Sequence, residues 1–474
     1  MRLETLRLQN FRGFEEKTFT LHPEFNLIVG ENGAGKTSFL EAAAVAIGSW
    51  LLGFQGHGSR NIRKQDVRVV REMVEKRYRE LPQYPVSVTA TGSLHLARMA
   101  RSEESQEVVY LPSTNAHQPN PREKAISWSR SVKGDGGRTT MTDAAKLKKI
   151  AESMAQAVLQ QQPRVLPLIR YFGAGRLWES VRDVGNKSLS KHKSKQPAEL
   201  AEDADFLDRA MFDHERLSGP FYGYRMSVDK RCSPDDLIRW MAFERRTELD
   251  DEDKSAALRL VYQAIESMLP EAKSVRYSVK LRTLVLRYAD GQLRTFDELS
   301  DGYRTVVAMA ADLAIKAAML NPQLAEKALQ FTPGVVLIDE LDLHLHPKWQ
   351  RRIIHDLRRT FPKIQFICTT HSPQLIGQAK PDEIIVLNSE SSHPGQSLGM
   401  DSNWILRHIM GSDDRDPAVA AELDGIFENI KQANFELAQQ GVDTLRSKIG
   451  EHPELVEAQA LIGRYTRFDS STVE

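Results

Sequence analysis

The chain has 474 residues, too long for one minimal core and suited to a domain with insertions or to several domains. Its 64 basic residues balance 64 acidic ones and 41% of residues are hydrophobic, which excludes a surface coated in one sign of charge and supplies ample apolar surface for a core. No run of 18 apolar residues occurs and the opening reads as a strand rather than a signal peptide, so neither a membrane span nor export is expected. Two cysteines, Cys232 and Cys368, form no disulfide framework or zinc set; they are read as small core side chains in a reducing cytoplasm.

Leu3, Leu6 and Leu8 predict a first strand, turned at 10–13. The apolar stretch 25–29 is a short strand ending at Gly30, and the alanine-rich 38–48 is a helix. Residues 85–135 are β-rich, with alternation at 86–88 and 108–111; 142–161 is helical and 164–171 is a buried strand. The stretch 185–205 carries Lys187, Lys191, Lys193 and Lys195, then Glu199, Glu202, Asp203 and Asp205, and is read as a mobile surface loop. Helix is expected at 234–270 and 301–320, strands within 275–288 before a turn at Asp290 and Gly291. Core strands at 334–338 and 364–370 flank a helix, and another strand ends at Val386 and Leu387. From about 403 the chain is helical, with Leu423, Ile426, Ile430 and Leu437 as one stripe. Leu445, Ile449, Leu455, Val456 and Leu461 form a second set across a turn at His452 and Pro453.

The strongest chemical signal is Gly30-Glu31-Asn32-Gly33-Ala34-Gly35-Lys36-Thr37, which matches the P-loop pattern in full and lies between a strand and a helix. Glycines let backbone N–H groups curl around phosphate oxygens, and the helix start adds partial positive charge. Gly30, Asn32, Gly33, Gly35, Lys36, Thr37 and Ser38 are the candidate nucleotide-binding residues; Lys36 is placed on the β- and γ-phosphates and Thr37 on Mg²⁺. Downstream, four apolar residues at 335–338 run into Asp339 and Glu340 at the carboxyl end of a strand, where α/β proteins bind ligands. Asp339 is the candidate for Mg²⁺, through its water shell, and Glu340 for the base that orients and polarises the attacking water.

Leu299-Ser300-Asp301-Gly302-Tyr303 resembles the signature of ABC ATPases, L-S-G-G-Q, departing from it at Asp301 and Tyr303. The resemblance implies that Ser300 and the N–H groups at Gly302 grip a γ-phosphate from the far side. Thr369-Thr370-His371-Ser372-Pro373 resembles the segment with the switch histidine of the same superfamily, which makes His371 a candidate γ-phosphate sensor. In Leu341-Asp342-Leu343-His344-Leu345-His346-Pro347, Asp342 resembles the D-loop aspartate that crosses to the opposite subunit. His344 and His346 have a spacing poorly suited to zinc and no cysteine nearby, and are not read as ligands. Gln65, before Asp66, is read as the Q-loop glutamine, a nucleotide and Mg²⁺ contact.

The order of these motifs resembles the AAA-21/RecF-like branch of the ABC superfamily, which includes SMC, Rad50, RecF and OLD-type proteins. Leu6-x-Leu8-x-Asn10-Phe11-Arg12-Gly13-Phe14 is similar to the usual start of that branch. Tyr171-Phe172-Gly173-Ala174-Gly175-Arg176-Leu177-Trp178 resembles a segment of the PtuA-like ATPases of Septu and some retron anti-phage systems, as does the tail after Met410-Gly411-Ser412. The fold implied is α/β: an ABC/SMC-like P-loop ATPase head with a mixed β-sheet, an inserted α/β lid region and a helical C-terminal tail. The expected divisions are an N-terminal lobe at 1–84, an insert at 85–270, a C-terminal lobe at 271–400 and a tail at 401–474 that could dock a partner. The resemblance implies ATP and Mg²⁺, ATP hydrolysis in the cytoplasm, and a homodimer or higher homo-oligomer joined through composite sites in which ATP on Lys36 of one copy meets Ser300 of the other. It also implies an HNH nuclease of the PtuB type in trans, and a retron reverse transcriptase with its DNA or RNA as a further partner. A DNA-repair ATPase acting directly on DNA, like RecF or Rad50, is the alternative; the zero net charge weighs against it. Prolines and glycines in the insert argue against an SMC-like rod. The helical stretch after His371 carries no strand-borne acidic triad of a Toprim nuclease.

Overall fold

Five apolar strands lie side by side as a parallel sheet, in the order Leu168–Phe172, Gly334–Ile338, Ile364–Thr369, Phe25–Val29 and Ile384–Val386. The sequences LIRYF, GVVLI, IQFICT and FNLIV are buried at every position, as expected of strands covered on both faces. Among their buried polar residues, Gln365 is satisfied from another strand: its Oε1 accepts from Leu3 N and its Nε2 donates to Leu3 O, both at 2.8 Å. Gln365 thereby ties this sheet to a second, antiparallel one ordered Phe14–Thr20, Arg2–Phe11, Val86–Leu94 and Lys124–Val132.

Packed against strands of both sheets is the helix Lys36–Gly48, of which 11 of 13 residues are buried. Its Phe39, Leu40, Val45 and Ile47 have no exposed surface, each such side chain contributing about 1.5–3 kcal/mol on burial. Beyond Lys36 at its start, Glu41 is the charged residue of this helix. Burial pushes its carboxyl up, but the Lys230 ammonium and the Arg60 guanidinium outweigh that and hold it below its ordinary value. Arg60 in turn bridges to the buried Asp66 at 3.0 Å, and Arg12 reaches Asp66 at 2.7 Å.

The computed structural model describes residues 1–74, 77–94, 100–101, 108–109, 124–177, 219–250, 255–387, 393–413 and 415–470. Trp178, the charged stretch 185–205 and the end of the strand expected at 108–111 lie outside the described residues. Several expected elements change shape. Phe14–Thr20 forms a strand that its charges at Glu15, Glu16 and Lys17 conceal, paired with the first strand through a tight turn at Arg12 and Gly13, in which Arg12 has φ of 50°. The strand expected at 164–171 starts at Leu168, because Pro167 has no N–H for the ladder and Leu166 N donates instead to Asn321 Oδ1 at 2.7 Å. The helix expected at 234–270 is two, Pro234–Asp250 and Ala256–Met268, the second capped by Ser255.

Met1–Met400 and Asp401–Glu474 are separate compact units. In the second, helices Pro417–Lys431, Phe435–Ile449 and Pro453–Ser470 enclose Leu423, Ile426, Ile430, Ala438, Val442, Leu445, Leu455, Ala458 and Ile462. Leu437, expected in the first stripe, is 57% exposed. The helix breaks before Asn434, with Ala433 at φ 60°, so the helical phase restarts and Ala438 takes the inward position. Val456 and Ile449, expected in the second set, likewise point outward, while Leu445 and Leu455 point inward.

Candidate nucleotide site

Parallel strands deliver their carboxyl ends to one edge of the sheet. Cys368 is in register with Leu27, and Ile338 with both Phe172 and Cys368. Four chain segments therefore emerge together: the loop after Val29, the acidic turn after Ile338, the polar turn after Thr369 and the turn after Phe172.

The loop from Gly30 curls onto its own lysine. Lys36 Nζ donates to Gly30 O at 2.7 Å and to Glu31 O at 2.8 Å. Gly33 and Gly35 have φ of 86° and 100°, a conformation that costs other residues strain. A Cβ on Gly35 would also lie 2.9 Å from the Phe14 ring. Asn32, Gly33 and Thr37 are exposed, Ser38 is half-buried and Lys36 is buried. Burial pushes the Lys36 ammonium below its ordinary pKa, opposed by the carboxylates of Asp339, Glu340 and Asp342.

Asp339 is 4% exposed. Its Oδ1 accepts from Thr369 Oγ1 at 2.7 Å and, more distantly, from Thr37 Oγ1 at 3.4 Å. Thr369 Oγ1 also accepts from Glu340 N at 2.8 Å, so one hydroxyl fixes both acidic residues. Glu340 is half-buried, with φ of 50°, a left-handed conformation that must be held by its surroundings. Arg176, buried and from the segment after Phe172, holds it: Nη1 donates to Asp339 O at 2.8 Å and Nη2 to Glu340 O at 3.2 Å. His371 is half-buried, and its N–H lies 3.4 Å from Asp342 Oδ1, which also accepts from Thr370 Oγ1 at 2.6 Å. The Asp342 carboxylate is thus engaged within its own chain.

Ser300 is exposed at the N-terminus of the helix Asp301–Leu320, and its side chain makes no capping bond. Among the described residues no hydrogen bond joins Ser300 or Gly302 to the phosphate loop. Gly302 packs on the acidic turn instead: a Cβ there would lie 2.5 Å from His344 O. Tyr303, where the ABC signature has glutamine, packs edge-on against Trp349 at 4.8 Å. His346 caps the short helix Pro347–Gln350 through Nδ1. Gln65 is exposed on the turn Lys64–Asp66; its neighbour Asp66 is the buried partner of Arg12 and Arg60. Thr369 and Arg176 have roles the sequence reading did not assign. A hydroxyl directly before Thr370-His371, and an arginine in a glycine-rich turn after a buried strand, were the available signals.

A phosphate cradle, an acidic strand end and a polar strand end brought together by parallel strands define a P-loop ATPase head of the ABC and SMC type. A family profile described as AAA domain matches residues 5–273, more than half of the chain, and the chain belongs to this family; a second profile, described as AAA domain, putative AbiEii toxin, Type IV TA system, matches 234–377. Within the family the chain is similar to retron and PtuA-like ATPases. It is 24% identical to the Retron Ec83 probable ATPase of Escherichia coli over 88% of this chain and 77% of that protein. It is 36% identical to the Septu protein PtuA of Bacillus mycoides (strain KBAB4) over 27% of this chain and 17% of that protein. Among solved structures, an SMC head bound to the C-winged helix domain of ScpA aligns over 81% of this chain and 94% of that one, at 16% identity and a TM-score of 0.40.

Proposed function

We propose that this chain is the ATPase subunit of an anti-phage defence complex, an ATP-driven dimer switch that regulates an HNH nuclease supplied by a separate protein. The defence role is supported by the retron and Septu relatives, which also suggest a retron reverse transcriptase with its DNA or RNA as a further partner. The switch is supported by one arrangement above all. Lys36, Thr37, Asp339, Glu340 and His371 lie on neighbouring strand ends of one chain, whereas Ser300 stands exposed at a helix start with no bond to the phosphate loop. Half of a site is assembled, and a second copy completes it.

In this account Gly30, Asn32, Gly33, Gly35, Lys36 and Ser38 wrap the phosphates of one ATP. Ser300 and Gly302 of the other copy close on the γ-phosphate, with the positive end of the helix Asp301–Leu320 behind them. Glu340 takes the proton of the attacking water, oxygen bonds to the γ-phosphorus, and the bond to the ADP oxygen breaks. His371 donates a hydrogen bond to the γ-phosphate as charge develops. Thr37 and Asp339, oxygen donors already facing each other, fit Mg²⁺, with Gln65 as a further proposed contact; the ion neutralises phosphate charge when bound. Hydrolysis loosens the pair, and the partner protein senses the change.

Mixing two inactive variants tests the composite site. Chains with Lys36→Ala and chains with Ser300→Arg are each expected to hydrolyse almost no ATP, and their mixture to regain activity at one site of each heterodimer. A wild-type specific rate independent of protein concentration over a wide dilution range contradicts the proposal.

A further inference from the structure

A cavity of about 790 Å³ opens beside the helix Lys36–Gly48. It includes Glu41 of that helix but none of residues 30–38, so it is not the phosphate cradle. We propose that this cavity is a second ligand site, for a phosphorylated nucleoside, either a free nucleotide or the terminal nucleotide of a nucleic-acid strand. The inference does not rest on the ATPase or defence assignment.

Three observations define the ligand. Tyr171 and Ser227 are among the lining residues, both are 1% exposed, and neither buried hydroxyl has a hydrogen-bond partner among the described residues. Buried hydroxyls are normally satisfied, and two orphans on residues beside one cavity suit a polar group that enters and draws them round. The charge is cationic. Arg60, Arg63, Arg225 and Lys230 line the cavity against Glu41 and Asp229. Arg60 is committed to Glu41 and Asp66, Lys230 to Glu41, and Asp229 to Arg231. Arg63 and Arg225 are exposed and have no carboxylate in ion-pair range among the described residues, so an anion meets uncompensated positive charge. Aromatic surface completes the wall: Phe221, Tyr222 and Tyr224 stand near His57, with Arg225 over the Tyr222 ring at 5.9 Å. Rings beside guanidinium groups are the surface on which nucleobases stack. The volume lies within the range of small-molecule sites.

The cavity is wired to the acidic turn. Tyr171 belongs to the strand that ends at Phe172. The next residue, Gly173, donates from N to Lys230 O at 2.8 Å. Its carbonyl accepts from Arg176 Nη1 at 3.0 Å, and the same nitrogen holds Asp339 O. A Cβ on Gly173 would lie 2.7 Å from Lys230 Cβ, so the two segments have no slack between them. A ligand that draws on Lys230 or Tyr171 therefore acts on the backbone that positions Asp339 and Glu340.

The test uses the full-length chain carrying Lys36→Ala, which removes the phosphate loop from the readout. A fluorescent nucleoside monophosphate and a 5′-phosphorylated single-stranded oligonucleotide are titrated separately, with inorganic phosphate as competitor. Saturable binding of at least one probe is expected, weakened roughly tenfold by Tyr171→Phe or Ser227→Ala and more by Arg225→Glu. The two conservative variants keep volume and packing, and unchanged thermal melting confirms that they fold. Binding of the monophosphate assigns a free nucleotide, and binding of the oligonucleotide alone assigns a strand end. Absence of saturable binding for both probes, or binding that all three substitutions leave unchanged, overturns the proposal. Neither result bears on ATP hydrolysis by the wild-type chain, which is measured independently.

Discussion

Arg176 donates from Nη1 to the backbone carbonyl of Asp339 at 2.8 Å, across 163 residues of sequence. With Nη2 on Glu340 O, one buried guanidinium spans the turn that carries both acidic residues and holds Glu340 at its φ of 50°. Arg176→Met leaves the carbonyls of Gly173, Asp339 and Glu340 without this donor. It is expected to lower kcat by roughly 10–100-fold, on the scale of a misplaced general base, while ATP affinity changes only a few-fold. Steady-state hydrolysis together with nucleotide titration checks this, and an unchanged kcat removes the positioning role.

Thr369 is the second support of that turn, donating to Asp339 and accepting from Glu340 N. Thr369→Val keeps the shape and removes both bonds, leaving a buried N–H and a buried carboxylate short of a partner at about 1–3 kcal/mol. A higher Mg²⁺ concentration for half-maximal hydrolysis and a lower kcat are expected, and Thr369→Ser should restore both. If valine and serine behave alike in a Mg²⁺ titration, the hydroxyl has no such role.

The phosphate loop and the Asp339–Glu340 strand end are legible from sequence because a few contiguous residues carry both the chemistry and its context. The apolar strands Phe25–Val29 and Gly334–Ile338 announce the parallel sheet, whose register then brings the two strand ends together. The grip of Arg176 is not legible, since its acceptors are backbone carbonyls far along the chain, which no residue type marks. The charges of Glu15, Glu16 and Lys17 conceal the strand Phe14–Thr20, because its pairing, not its apolar content, makes it a strand. Leu437 leaves the apolar stripe because the backbone turns left-handed at Ala433, where the helical phase is lost.

Lys316 gives a pH signature. It is 5% exposed and donates to Gly223 O at 3.1 Å and Arg225 O at 2.6 Å. Burial, the largest influence, lowers its pKa to about 8, against the pull of Asp312. The folded value lies below the unfolded one, so the unfolded chain binds more protons between them. Below pH of about 8 the buried charge opposes folding in full, and the penalty lifts as pH rises from there toward 10.5. Wild-type Tm should therefore rise by a few degrees relative to Lys316→Met between about pH 7.5 and about pH 9.5. A difference constant with pH contradicts the placement of this charge.

The second unit encloses its own apolar cluster, so its removal exposes no core of the nucleotide unit within that cluster. If the proposed nuclease docks there, deleting residues 415–474 leaves ATP binding at Lys36 intact while abolishing its co-purification and protection against phage. Exposed Leu437, Ile449 and Val456 are the first positions to substitute with glutamate in finer mapping. Protection by the truncated chain would locate the dock elsewhere.

The composite site is tested most directly by the mass of the Glu340→Gln chain in solution, measured by sedimentation velocity with and without ATP and Mg²⁺. Loss of the general base cuts turnover by roughly 10²-fold or more and so preserves the ATP-bound state. The account predicts a species twice as heavy with ATP as without it, abolished when Ser300→Arg is added to the same chain. Equal mass with and without ATP, or ATP-dependent association that survives Ser300→Arg, contradicts it.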